Sequence, residues 1–336
     1  PALPRLGSVV GDGVLGLVIC CAPVARASLR GGHRLTMQYN ISESGCTSEE
    51  VGICWSGTAP GDMYSRSMNV RHAVITGGSS GLGLALAVRL AARGADTTLV
   101  SRDPARLDEA AEAVQGNTSA AVVRTMSVDV SDPDAVADAI GGLARDAGPI
   151  DLLINSAGIL REGYFEDLDL ADFRDVMDIN FFGTVNAVRA ALPHLKASKG
   201  AVVNIASLAG LSGVFGYTSY CASKHAVVGF SNSLRLELEP QGVRVHVVCP
   251  GEFDSPMVDV LDQSRTKENR ENAMMLPKLG VDVIADDTIR GIESNQDLII
   301  PGRPQRLSAK AQRLAPGLVK SLTKRRVAKV YLGPLH

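Results

Sequence analysis

A chain of 336 residues that is 45% hydrophobic and 21% charged, with formal net charge −2, has the make-up of a globular protein of one large or two small domains. No uninterrupted apolar run reaches the ~18–20 residues of a membrane-spanning helix. The six cysteines (Cys20, Cys21, Cys46, Cys54, Cys221 and Cys249) show no zinc-ligand spacing, so no metal site is expected and a reducing, cytoplasmic compartment fits.

Residues 1–67 differ from the rest of the chain. An apolar run from Val14 to Ala25, with Ala-x-Ala at Ala25 to Ala27, loosely resembles an export signal. Asp12 sits at its edge, and the stretch after it has neither helical nor strand periodicity. A leader outside the fold is expected, disordered or an extension from a misjudged start, with Met68 as the natural first residue of the folded part.

From Asn69 the pattern changes. "VRHAVIT" reads as a buried strand and "GLGLALAVRLAARG" as an amphipathic helix closed by Gly94. "DTTLVS" is a second strand and "PARLDEAAEAVQG" a second helix, with proline near its start and glycine after its end. The alternation continues through strand 122–128, helix 132–147, strand "IDLLIN", a long helix over about 171–197, strand "GAVVNIAS", helix 218–239, strand "VRVHVV" and a late "LIIP". Strands alternating with helices of this length predict a doubly wound α/β Rossmann fold with a mostly parallel sheet of about seven strands. That domain spans residues 68–302. A tail over 303–336 holds nine Lys or Arg and no Asp or Glu, so the remainder of the chain carries −11 against a total of −2. Its mixture of Leu, Val, Ala and basic residues, broken at Pro316-Gly317, predicts two short helices able to lie on an anionic membrane surface, with nucleic acid not expected as a partner.

Between the first strand and first helix stands "TGGSSGLG". Glycines at Gly77, Gly81 and Gly83 let the backbone approach a pyrophosphate, which the free amides of the helix N-terminus would hold. Sites for NAD usually place an acid at the end of the second strand, but here Ser101 and Arg102 stand there, and Asp103 is placed to cap the next helix. A basic residue suits a ribose 2′-phosphate, so NADP(H) is the expected cofactor. Asp129, ending the third strand, is placed for the adenine edge. In "YCASK", Tyr220 and Lys224 are one helical turn apart, so a buried ammonium would sit near the phenol and lower its pKa toward neutrality.

"TGGSSGLG", "NSAG" (Asn155 to Gly158), "DIN" ending at Asn180, "NIAS" ending at Ser207, "YCASK" and "CPG" occur in the order and spacing of the short-chain dehydrogenase/reductase family, which the chain resembles over about residues 70 to 300. The resemblance implies a catalytic set of Asn180, Ser207, Tyr220 and Lys224. Tyr220 would exchange a proton with the substrate oxygen, which Ser207 would hydrogen-bond. Lys224 would tune the phenol and hold the nicotinamide ribose, and Asn180 would keep a water in line with Lys224. Cofactor contacts are implied for Gly77, Ser79, Ser80, Gly81, Leu82 and Gly83, for Ser101 and Arg102, and for Asp129 and Val130. The same holds for Asn155, Ala157 and Gly158, for Tyr220 and Lys224, and for Pro250, Gly251, Phe253 and Ser255.

Departures from the family pattern are the serine of "NSAG", Phe253 in place of the usual Val or Ile, and Ser255 in place of Thr. Within the family, "TLVSRD", "SVDVSD", "FEDLD" and "GVFGYTSYCASK" are similar to the 3-ketodihydrosphingosine (3-ketosphinganine) reductases. That implies a lipid-like ketone or alcohol as substrate. Another carbonyl or secondary alcohol (steroid, fatty acyl or xenobiotic) is the alternative, and a non-enzymatic NADP sensor is disfavoured because all four catalytic positions are filled. The family resemblance also implies a dimer or tetramer.

Overall fold

Five consecutive buried residues from His72 to Thr76 form an interior strand of the larger sheet. The computed structural model describes residues 26–29, 34–38, 52–54, 70–118, 120–273 and 276–331. It divides into two compact units, Pro1–Ser65 and Arg66–His336. In the first, β1 (Arg26–Leu29), β2 (Arg34–Gln38) and β3 (Gly52–Cys54) make a three-stranded antiparallel sheet, which the lack of sequence periodicity did not foreshadow. The apolar run at Val14 to Ala25 and Met68 lie outside the described residues.

In the second unit β4 (His72–Thr76) is followed by α1 (Gly81–Ala92), β5 (Asp96–Ser101), α2 (Pro104–Gln115), β6 (Val123–Ser127) and α3 (Pro133–Ala147). Next come β7 (Leu152–Asn155), α4 (Leu170–Met177), α5 (Gly183–Ser198), β8 (Ala201–Ile205), α6 (Thr218–Leu238) and β9 (Arg244–Val248). The chain continues through α7 (Pro256–Ser264), α8 (Lys267–Ala273), α9 (Val281–Glu293), β10 (Leu298–Ile299), α10 (Arg303–Leu314) and α11 (Pro316–Tyr331). The seven strands are parallel throughout, in the order β10-β9-β8-β7-β4-β5-β6. The strand order reverses between β4 and β7, and a crevice opens beyond the carboxyl ends of strands at such a point.

Both faces of this sheet are covered, which is why its strands read as apolar runs without alternation. On β7, Leu152 and Ile154 face the layer of α1, α2 and α9, where Leu86, Leu107 and Ile284 pack, and Leu153 faces Ile140 of α3 and Leu195 of α5. Truncating one such residue, Leu153→Ala for example, costs about 2–5 kcal/mol.

Three differences from the expected elements bear on the site. The long helix expected over 171–197 is interrupted between α4 and α5 by a π-helical turn, Asp178–Phe182, with Asn180 buried inside it. Helices α7 to α9 fill the stretch between β9 and β10, where no element was expected. The residues expected as a tail form α10 and α11, which belong to the same compact unit as the sheet, with the break one residue before the expected Pro316-Gly317. Gln305 anchors α10: it is fully buried, lies against Gly251 and donates from Nε2 to Pro277 O at 3.0 Å. Asp287 of α9 accepts from the Gly302 amide at 2.7 Å and pairs with Arg306 at 3.4 Å.

Candidate active site

The turn after β4 holds its shape because two positions admit no side chain. Gly77 has φ +66°, and a Cβ there would stand 2.7 Å from the Ala157 amide nitrogen. A Cβ on Gly83 would run into the Gly77 carbonyl. Ser80 is the N-cap of α1, in extended backbone, and its side chain makes no capping bond. The first turn of α1 therefore presents free amides at the mouth of the crevice, as a phosphate group requires.

A cavity of about 750 Å³ runs from this turn across the carboxyl edge of the sheet. Of the residues expected to contact the cofactor, Gly77, Ser80, Gly81, Leu82, Ala157, Gly158, Tyr220, Lys224, Pro250, Gly251, Phe253 and Ser255 line it, as does Ser207. Others are placed differently. Asn155 is buried, does not line the cavity and donates from Nδ2 to Asn204 Oδ1 at 2.8 Å, tying β7 to β8. Val130 is buried against Gly183, whose added Cβ would stand 2.6 Å from its Cγ2. Gly83 acts through the turn, beneath Gly77.

The end of β5 carries Ser101, whose hydroxyl accepts from Ser79 Oγ at 3.0 Å, so these two brace the glycine turn. Asp103 caps α2, accepting from the amides of Ala105 and Arg106, as expected. Arg102 is largely exposed and pairs with Asp129 at 3.6 Å. Both line a second cavity of about 260 Å³ with Ser131, Arg161, Asp175 and Asp178. Burial opposes ionisation of Asp129, but hydrogen bonds from the Ser131 hydroxyl and amide, with Arg102 beside it, outweigh that and hold its carboxyl below the ordinary value.

At the other end of the 750 Å³ cavity, Ser207 leaves β8 as the cap of a short 3₁₀ turn, with Oγ accepting from the Ala209 amide at 3.1 Å. That oxygen is also hydrogen-bonded to the Tyr220 phenol. Tyr220 and Lys224 lie one turn apart on α6. Lys224 is buried, donates from Nζ to Ile205 O at 2.9 Å and stands 5.5 Å from the Tyr220 ring centroid. The expected depression of the phenol is not found. Burial pushes Tyr220 above its ordinary value, the Ser207 hydrogen bond offsetting only part, and burial brings Lys224 down to about 8, the Cys249 thiol opposing it. A low-dielectric pocket penalises the charged form of each, so neutral phenol wins over phenolate.

Asn180 is held by both ends of its amide. Oδ1 accepts from the Ile159 amide at 2.7 Å, and Nδ2 donates to Ile159 O at 2.9 Å and Ser223 Oγ at 3.0 Å. Its carbonyl accepts from Thr184 Oγ1 at 2.9 Å, so the π turn is pinned where such turns recur at functional sites. Gly158 separates Asn180 from the lysine: a Cβ there would be 3.1 Å from Asn180 Oδ1 and 3.6 Å from Lys224 Nζ. Its absence leaves the two groups facing one another.

The residues that sequence reasoning missed form the far wall. Met257, Val258 and Leu261 of α7, Leu276, and Ser308, Gln312, Val319, Lys320, Thr323 and Lys324 of α10 and α11 all line the cavity. For α7 a signal existed, since Ser255 caps the helix and Pro256 opens it. For α10 and α11 the helices were legible but their place over the site was not, because it depends on Gln305 and Asp287 docking on distant elements.

Residues 71–266 match the family described as short chain dehydrogenase. The 3-ketodihydrosphingosine reductase of Bos taurus is 34% identical over 228 residues, covering 66% of this chain and 69% of its own. A short-chain dehydrogenase from Sphingobium yanoikuyae in complex with NADPH has a TM-score of 0.63 at 30% identity, covering 76% of this chain and 95% of its own. One from Mycobacterium paratuberculosis bound to NAD has a TM-score of 0.63 at 29% identity, covering 70% of this chain and 97% of its own. With the match spanning the glycine turn, Ser207, Tyr220 and Lys224, the chain belongs to the short-chain dehydrogenase family and is an oxidoreductase acting on CH–OH groups.

Proposed function

We propose that the protein is an NADPH-dependent reductase of a ketone in a long-chain lipid, of which 3-ketosphinganine is the type. The observation that carries this reading is the continuity of the large cavity. It passes from the α1 amides, past Tyr220 and Ser207, into a region walled by Leu160, Leu208, Leu211, Val214, Leu261 and Val319. A phosphate cradle thus opens onto space for an alkyl chain. The similarity to the bovine reductase named for this substrate supports the same reading.

The glycine turn with Ser80 fits a pyrophosphate, and Arg102 fits a 2′-phosphate once it turns from Asp129. A bound nicotinamide dinucleotide would supply the hydride. Everything else falls to side chains of the chain. The Tyr220 hydroxyl, kept protonated by burial, gives its proton to the carbonyl oxygen, and Ser207 donates a hydrogen bond to the same oxygen as charge develops there. Lys224 holds positive charge beneath Tyr220 and accounts for the ribose end of the site. Asn180, facing Lys224 across Gly158, is placed to pass a proton onward through water. The exposed Phe182 and Leu236, on elements adjoining the site, fit a homo-oligomer, which sedimentation velocity would measure.

One observation favours a second reading. Lys320 and Lys324 line the same cavity, while the carboxylate in its wall, Glu252, is held by Arg265 at 2.9 Å and Lys278 at 3.3 Å. Positive charge there disfavours the ammonium of 3-ketosphinganine and suits a neutral or anionic ketone such as a 3-oxoacyl ester. Turnover with NADPH of 3-ketosphinganine against a 3-oxoacyl ester of equal chain length separates the two. A preference for the ester would replace the substrate, and no turnover of either would overturn the reading.

A further inference from the structure

Helices α10 and α11 each turn one face toward the cavity, to which α11 also brings Lys320 and Lys324, and one face away from it. Ser308, Ala309 and Gln312 of α10 and Val319 and Thr323 of α11 line the cavity and are partly buried. On the side away from it, Leu307, Leu314, Leu318 and Leu322 are 68%, 83%, 63% and 47% exposed. Helical spacing sets cations among them. Arg303, Leu307, Lys310 and Leu314 fall at i, i+4, i+7 and i+11, and Leu318, Leu322, Arg325 and Lys329 repeat the same intervals. All four of these cations are exposed.

Four exposed leucines interleaved with cations, in a segment of nine basic and no acidic residues, complement one kind of surface. An anionic bilayer accepts the leucines into its interface and attracts the cations. The rest of the chain carries −11 and is repelled by such a surface, so the orientation is fixed as well as the attraction. We propose that the outer faces of α10 and α11 dock on an anionic lipid bilayer while their inner faces wall the cavity. Only the thickness of a helix, about 10 Å, then separates the lipid from the site. This surface is independent of which ketone is reduced.

The test is co-sedimentation of the full chain with phosphatidylcholine vesicles, with and without phosphatidylglycerol. It compares the native chain with the pairs Leu318→Ser/Leu322→Ser and Arg325→Gln/Lys329→Gln. These four residues do not line the cavity, so reduction of a water-soluble ketone without vesicles should be unchanged and reports folding. The expected result is binding that requires phosphatidylglycerol, weakens as salt screens the charges, and falls about tenfold or more in each pair variant. Absence of binding by the native chain at low salt would overturn the proposal, as would equal binding by all three. So would a lipid-independent dimer that both variants abolish, which would assign the face to a second copy of the chain.

Discussion

Lys224 Nζ stands 5.5 Å from the centroid of the Tyr220 ring and donates to the carbonyl of Ile205 at 2.9 Å. The cation is thus fixed by the end of β8 and not by the phenol oxygen, within the range where a ring face attracts positive charge. Burial raises the phenol and lowers the ammonium, so a protonated donor is what the site holds at neutral pH.

Replacing Tyr220 by Phe removes the donor and little else. Turnover should fall by about 10²–10⁴, the usual worth of a positioned acid, while the dissociation constant for NADPH, read by its fluorescence, stays within a few-fold. A variant that keeps most of its rate would mean that another group supplies the proton.

Arg102→Ala should weaken NADPH more than NADH. A hydrogen bond between charged groups contributes about 1.5–3 kcal/mol, so a loss of roughly tenfold or more is expected for NADPH alone. Part of that is offset by the pairing of Arg102 with Asp129 at 3.6 Å, which the phosphate has to displace. Equal losses for both dinucleotides would remove Arg102 from the 2′-phosphate.

The depressed Lys224 ammonium also predicts a stability effect with a definite sign. Its value is about 8 in the folded protein and near 10.5 otherwise. Between those values the unfolded chain binds more protons, so this group makes stability rise with pH there, and its full cost is present below about 8. Lys224→Met should therefore show its most favourable melting temperature relative to the native chain at neutral pH. That difference should shift against the variant as pH rises from about 8 to 10.5. A difference that does not change with pH would mean that Lys224 is not a buried cation in the folded state.

How much of this was legible in sequence can be judged element by element. β5 and the start of α2 fall where expected because the apolar run "TTLV" and Asp103-Pro104 are local signals. Tyr220, Ser207 and Lys224 converge because each follows a strand or helix end that local pattern fixes. Asn155 could not be sorted from the cavity-lining residues, since a strand buried throughout gives no hint of which side chains meet the crevice, and Val130 lies in the turn after β6, where its packing on Gly183 is a long-range contact. The π turn at Asn180 was invisible because a single extra residue does not disturb an apolar pattern. The rise in the Tyr220 pKa was missed for another reason: one-turn spacing predicts an attraction but not the burial that opposes it.

A chain beginning at Met68 should fold and reduce its substrate at the native rate. Every strand of the seven-stranded sheet lies between His72 and Ile299, and the compact unit that holds them starts at Arg66. Circular dichroism and kcat/KM of the shortened chain check this. Loss of activity with the full chain active would assign a role in the site to the first unit.

The wall contributed by α11 should set chain-length preference. Val319 is partly buried and lines the cavity together with Leu208 and Leu261. Replacing it by Trp adds a large rigid ring to that wall. The substitution lies on a helix packed against α8 and outside the core of the sheet, so the fold should tolerate it. A long-chain ketone must pass this wall, and a short one need not. Blocking space that only the long chain uses removes binding without touching the proton donor, so KM for the long ketone should rise about tenfold while its kcat changes little. Both constants for a short ketone should stay near the native values. A rise in KM of equal size for short and long ketones would mean that the alkyl chain runs elsewhere, and that α11 closes the site without shaping its specificity.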